Sequence, residues 1–285
     1  MLSLRSPKQT KHTFLSLGAG VQSTCLALMA ARNEIPNCNV DAAIFADTGG
    51  EPDEVYKYLQ YLIDVLPYPV YIVQKGVLAN EAVRERPRKN GKGNYIKGIV
   101  PAFTLQADGQ KGMIPRACTL DYKILPINKK VKELAQIKRG EKEIQVTMLL
   151  GISRDEIIRM KESRYKWYQH RFPLIEMNIT RQGCKEWIKS RGYPEPPRSA
   201  CTFCPYHSNR EWRRLKSKDP KGFADAVAFE KRLQEANANN PGNLTGVPYL
   251  HRDCLPLDQV DFNDDDPNQM WLFGMDNECD GICGV

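Results

Sequence analysis

With 285 residues, 41% hydrophobic, 26% charged and 9% aromatic, the chain has apolar side chains enough for a core, which excludes disordered, collagen-like and coiled-coil classes. No stretch of about twenty apolar residues is present to span a membrane, and the opening MLSLRSPKQTKHTF is too polar for a secretory signal, so a cytoplasmic location is expected. Lys and Arg number 41 against 34 Asp and Glu; the resulting +7 permits a polyanionic partner without requiring one.

The first half alternates strand and helix. Thr13–Leu17 reads as a buried strand, followed by a glycine-rich turn and a helix over Gln22–Arg32. Asp41–Ala46 is a second strand, and the helix after Glu51-Pro52 carries Val55, Leu59, Leu62 and Ile63 on one face. Val70–Val73 is a third strand. From Gln74 to Pro115 the periodicity fails, and the Gly- and Lys/Arg-rich RERPRKNGKGNYIKG reads as a long mobile loop or lid. A basic amphipathic helix over Leu125–Lys138 precedes a fourth strand at Gln145–Ile152, and Phe172–Ile175 is a candidate fifth. Helices are expected at Arg181–Arg191, Arg210–Ser217 and Phe223–Asn239, before a tail containing the acidic DQVDFNDDDP. The expectation is an α/β fold: a Rossmann-like parallel five-stranded sheet in a nucleotide-binding domain over 1–177, with a basic loop at 74–115. A helical, cysteine-rich C-terminal region would cover 178–285.

Five segments carry chemistry. In Ser16-Leu17-Gly18-Ala19-Gly20-Val21-Gln22-Ser23-Thr24, glycines between strand and helix let the backbone approach a phosphate, and the helix start supplies N–H groups. No Lys follows them, so this is not a P-loop of the GxxxxGKS kind, and a plain strand–helix turn remains open. Asp47-Thr48-Gly49-Gly50 ends the second strand, where open α/β sheets bind ligands, though either Asp47 or Thr48 could simply cap the next helix. Glu51 reads as an ordinary first-turn acid.

Nine cysteines at uneven spacing, without an export signal, argue for metal or sulfur chemistry rather than disulfides. In Arg116-Ala117-Cys118-Thr119-Leu120-Asp121-Tyr122-Lys123, flanking cations would stabilise a Cys118 thiolate, or Arg116 and Lys123 would hold an anion. Cys201-Thr202-Phe203-Cys204-Pro205 is half of a metal site. With Cys118 and Cys184 it would complete four thiolates for a 4Fe-4S cluster, or for zinc; His207 could replace one ligand, and a redox dithiol at Cys201 and Cys204 is a further option. Cys25, Cys38 and Cys254 read as ordinary thiols. The terminal Cys279 and Cys283, on a Gly-flanked tail, suit sulfur relay or thiol attack, or belong to an inert folded-back end.

Taken in order, SLGAGVQST, FADTGGEPDEVYKYL, RACTLDYKILPI, GISRDEIIRMKES and SACTFCPYHSNREW resemble the adenine-nucleotide alpha-hydrolase (PP-loop) superfamily, in its PAPS reductase-like branch, over residues 13–218. The resemblance implies a phosphate loop at Ser16, Gly18, Gly20, Gln22, Ser23 and Thr24, with Asp47, Thr48, Gly151 and Arg154 as further nucleotide contacts. It also implies an R-x-C-T-x-x-x-K element at Arg116, Cys118, Thr119 and Lys123, and ligand roles for Cys118, Cys201 and Cys204. Cluster-type reductases carry Cys-Cys where this chain has Ala117-Cys118; that leaves the fourth ligand open, with Cys184 the candidate. Glu278-Cys279-Asp280-Gly281 only partly matches the reductases' terminal E-C-G-x-H. The implied ligands are ATP with Mg2+, or PAPS or adenosine phosphosulfate. The implied activity is sulfur transfer after adenylation, with release of sulfite as the alternative; a third reading is a non-catalytic, nucleotide-binding zinc protein. tRNA or DNA is the acceptor suggested by the basic Arg159–Arg171 and Arg210–Lys218, with Trp167 or Tyr168 available for stacking, though both runs read equally as solvated helix faces. A homodimer or a sulfur-donor protein is the partner such chemistry would admit.

Overall fold

The computed structural model describes residues 9–91, 93–240 and 244–263. Strand β1 (His12–Leu17) leads into α1 (Val21–Ala31), β2 (Ala42–Asp47), α2 (Asp53–Val65) and β3 (Val70–Gln74). α3 (Leu78–Val83) precedes a small hairpin of β4 (Glu85–Pro87) and β5 (Asn94–Ile96) and a second hairpin of β6 (Ala102–Leu105) and β7 (Lys111–Ile114). A π-helical turn, Thr119–Ile124, runs into α4 (Leu125–Leu134), followed by β8 (Val146–Leu149), a 3-10 turn at Arg154–Arg159, β9 (Tyr168–Arg171), α5 (Pro173–Glu176) and α6 (Arg181–Ser190). Then come α7 (Asn209–Lys218), α8 (Pro220–Ala238) and β10 (Val247–Tyr249).

The main sheet has five parallel strands in the order β3-β2-β1-β8-β9, an α/β, Rossmann-like arrangement. Its central strands are buried on both faces, as crossover helices require: all four residues of β8 are inaccessible, and five of the six in β2. One core, with Leu15, Leu17, Leu26, Phe45 and Leu62, lies on the side of α1 and α2; another, with Ile44, Ile127, Val131 and Met148, lies under α4. A third core, around Trp212, Phe229, Leu78 and Ile99, belongs to a second lobe where β10 completes an antiparallel sheet with β6 and β7.

Three expectations need correction. The fifth strand is Tyr168–Arg171, and Phe172–Ile175 instead enters α5, because Pro173 lacks an N–H and suits a helix start. The 74–115 stretch is α3 and two hairpins, not a loop; its strands are only three or four residues long, and they bury Ile96, Ala102 and Ile114 against distant C-terminal helices. Packing does not divide at residue 177 either: Cys184 and Ile188 of α6 join the core beside α1, whereas Leu78–Ile114 pack with α7 and α8. No helix among the described residues is long and apolar enough to cross a membrane.

Candidate nucleotide and thiol site

The strand order reverses between β1 and β8, and open sheets of this kind bind ligands in the crevice at that point. The turn Gly18-Ala19-Gly20 leaves the end of β1 there. Ala19 holds φ +58, in the left-handed region that L-residues seldom adopt, and Gly20 starts α1 without any side-chain cap. The Ser23 hydroxyl accepts from Gly18 N at 3.1 Å and donates to Gly20 O at 3.4 Å, so it braces the turn. Across the crevice, a Cβ on Gly151 would lie 2.8 Å from both Ser23 N and Ser23 Cα, so only glycine lets the end of β8 approach α1 this closely. Ser16 on β1 and Ser153 after Gly151 are buried, at 3% and 0% exposure, and among the described residues neither hydroxyl has a hydrogen-bond partner. Thr24 is buried beside Tyr58.

The Gln22 side chain is taken up by two partners on other elements. Its side-chain carbonyl accepts from Arg181 Nη1 at 2.8 Å and its amide donates to Glu156 Oε1 at 3.1 Å, tying α1 to α6 and the 3-10 turn. Burial pushes the Glu156 carboxyl up, against the pull of Arg159 and Arg181. Arg154 is exposed on that turn, its N–H donating to Ile179 O at 2.8 Å.

At the end of β2, Asp47 Oδ1 accepts from Gly49 N (2.7 Å) and Tyr56 Oη (2.8 Å), and Oδ2 from Gln74 Nε2 (3.0 Å), fixing a turn in which Gly49 has φ +68. The distant C-x-x-C loop docks onto this turn. Thr48 Oγ1 lies 3.1 Å from Cys201 Sγ, Thr202 N donates to Gly50 O at 2.8 Å, and a Cβ on Gly50 would sit 2.6 Å from the Phe203 ring. Beneath it lies Glu51, whose side chain is wholly buried; Lys123 Nζ is 3.4 Å from one carboxylate oxygen, and Ser199 Oγ donates to the other at 3.2 Å. Glu51 is the site residue that sequence reasoning missed. Its first-turn position looked routine, and its partners lie 72 and 148 residues away.

Burial, then the Glu51 carboxylate, pushes the Cys201 thiol well up, while Lys123 and Thr48 act the other way. His207 is buried and neutral, pushed well down by burial and the charge of Arg198; its Nε2 donates to Cys201 O at 3.0 Å. Arg116 stacks 5.9 Å over the Tyr206 ring; burial pushes that phenol up, Arg116 pulls against it, and Cys204 and Cys118 add to the rise.

Cys184 does not join them. It lies on the apolar face of α6 with Ile188, fully buried in the core beside α1, and a hydrogen bond with Cys25 is the first cause of its strongly raised thiol. Among the described residues no three His, Cys, Asp or Glu side chains are gathered so as to hold a metal ion. Cys184 as placed therefore does not complete the expected four-thiolate set with Cys118, Cys201 and Cys204. Cys279 and Cys283 lie outside the described residues. Trp167 and Tyr168 are buried, at 5% and 3% exposure, and are not surface stacking platforms.

Fold and crevice together define an open α/β protein with a glycine turn at its switch point. No family model matches the chain, and no curated protein does. Among solved structures it is similar to the phosphoadenylyl-sulfate (PAPS) reductase from Candida auris, determined as a phosphate complex. That likeness has 13% identity and a TM-score of 0.40, covering 68% of this chain and 78% of that one.

Proposed function

We propose that the chain is an enzyme of the PP-loop, PAPS reductase-like kind that seats the phosphates of ATP on the Gly18–Gly20 turn and activates an acceptor by adenylation, ahead of sulfur transfer. The observation that carries this reading is the pair of partnerless buried hydroxyls, Ser16 and Ser153, flanking that turn where the strand order reverses. Buried polar groups in folded proteins are mostly satisfied, so two unsatisfied hydroxyls, one on β1 before the turn and one after β8, support an acceptor bound there. Phosphate oxygens have that chemistry, and the uncapped start of α1 adds backbone N–H groups to it.

In the reaction, an acceptor oxygen attacks the α-phosphorus, the bond to the bridging oxygen of the β-phosphate breaks, and pyrophosphate leaves with the electron pair. The protein's share is to orient the triphosphate along the turn and to exclude water. Mg2+ would accompany the triphosphate. Arg116 is the cation assigned to the developing charge, and Lys123, balanced by Glu51, holds the C-x-x-C loop beside it. No step is assigned to a metal centre. A nucleic-acid acceptor is supported by the exposed Lys161, Arg164 and Lys166, which follow the crevice in sequence.

The test is a product assay with the full chain. Pyrophosphate and AMP formed from ATP only when tRNA or DNA is added support the reading. Sulfite released from PAPS or adenosine phosphosulfate replaces it with the reductase alternative, in which Cys279 or Cys283 is the nucleophile. No binding of ATP, PAPS or adenosine phosphosulfate removes both.

A further inference from the structure

A cleft of about 350 Å³ opens at the seam of the two lobes, between the Gly49–Asp53 turn and the first half of α8. None of Ser16–Thr24 and none of Leu150–Arg154 lines it, so it is separate from the crevice at the switch point. Its volume falls within the range of small-molecule sites, which favour such seams. Ala79, Ala228, Phe203 and Phe229 supply apolar lining, the two rings 4.6 Å apart, and Tyr56 adds a third ring whose hydroxyl is held by Asp47. The body of a ligand here would meet apolar and aromatic surface.

The charges in the lining are unequal. Glu51 is neutralised by Lys123, and Asp53 of one wall meets Lys221 of the other at 3.7 Å. Asp219 and Asp225 remain, against Arg232, whose Nη2 donates to Asn80 Oδ1 at 3.0 Å. Asp219 caps α8 through Gly222 N at 2.9 Å, so Asp225, which makes no hydrogen bond or ion pair among the described residues, is the carboxylate open to a ligand. Two carboxylates against one guanidinium favour a ligand that brings positive charge.

We propose that this cleft is a second small-molecule site, taking a cationic amine with a compact aromatic or apolar body, its ammonium held by Asp225. Thr202 and Phe203 form part of the wall, so an occupant rests against the loop between Cys201 and Cys204. The site does not depend on what binds the glycine turn.

A charge series on one body tests it: tyramine, tyrosine and 4-hydroxyphenylacetate, titrated into the full chain by ligand-observed NMR, with ATP titrated separately. Tyramine is expected to bind about tenfold tighter than 4-hydroxyphenylacetate, as one charge-assisted hydrogen bond provides. Asp225→Asn, a surface change, should weaken tyramine by about the same factor. Ala228→Trp should block the cleft, with folding checked by circular dichroism. ATP affinity, whether present or absent in the parent, should not change in either variant. Failure of all three compounds to saturate at millimolar concentration, or equal affinity for the anion and the amine, overturns the proposal. Loss of ATP binding in the parent alone overturns the reading of the glycine turn and leaves this one standing.

Discussion

Ser16 and Ser153 carry hydroxyls that folding removes from water without a partner among the described residues. Replacing either with Ala should leave stability unchanged or slightly higher, since a buried unsatisfied group is a cost in the empty protein. ATP binding should weaken about tenfold per hydroxyl. Calorimetric titration beside a thermal melt separates the two effects, and unchanged affinity would count against phosphate at this turn. The opposite behaviour is expected at Glu51. Glu51→Gln removes the buried carboxylate 3.4 Å from the Lys123 ammonium, costing about 3–5 kcal/mol, whereas Glu51→Gln with Lys123→Met should recover much of that loss. Urea unfolding of the single and double variants measures the difference. The serines and glycines of the turn were legible in sequence because strand, glycines and helix are neighbours along the chain. Glu51 was not, because nothing local distinguishes an acid bound to Lys123 and Ser199 from one in solvent.

Elements meet in this molecule through glycines that have no room for a methyl group. Gly50 faces the Phe203 ring, so Gly50→Ala should cost about 1–3 kcal/mol by forcing the C-x-x-C loop off the β2–α2 turn. Adding Phe203→Leu should cost less than the sum of the two single changes, because the smaller side chain yields the space; a strictly additive result in a double-mutant cycle would refute the contact. β1, β2, β3 and β8 could be read from their apolar runs, as could the helices flanking them. The apolar pattern points four residues beyond β9, because YQHR, at the sheet edge, lacks the apolar run of a doubly covered strand and the adjacent FPLI supplies one. Cys184 was misassigned for a related reason: spacing shows which thiols are close in sequence, not which face of α6 carries them.

At the scale of the whole molecule, the buried His251 and His207 contribute an acid-sensitive part of the stability. Burial holds His251 down to about 4, from an ordinary 6.5, and its neutral ring is used on both sides: Nε2 donates to Asn209 Oδ1 at 2.9 Å, and Nδ1 accepts from Asp253 N at 3.3 Å. His207 is shifted in the same direction. Below the ordinary value the unfolded chain takes up protons that the folded chain refuses, so this histidine contribution is complete above pH 6.5 and is lost as pH falls toward 4. From His251 alone the loss is on the order of 3 kcal/mol. Urea midpoints at neutral pH and at successively more acid values should trace this decline, and His251→Gln should flatten it; a level profile in the parent would contradict the neutral assignment. Neither burial was readable from sequence, since each histidine lies in a polar stretch that folds inward only when α7 and α8 are in place.

The closing of the 102–114 hairpin by residues 247–249 has a consequence for synthesis. A ribosome emits the chain from one end, so Ile96, Ala102 and Ile114 emerge well before the helices that cover them. The parallel sheet can assemble meanwhile, but the inserted segment must wait, with its apolar side wet, until more than a hundred further residues have been translated. That interval, rather than the finished molecule, is where the nascent protein is most exposed to aggregation and most in need of a chaperone.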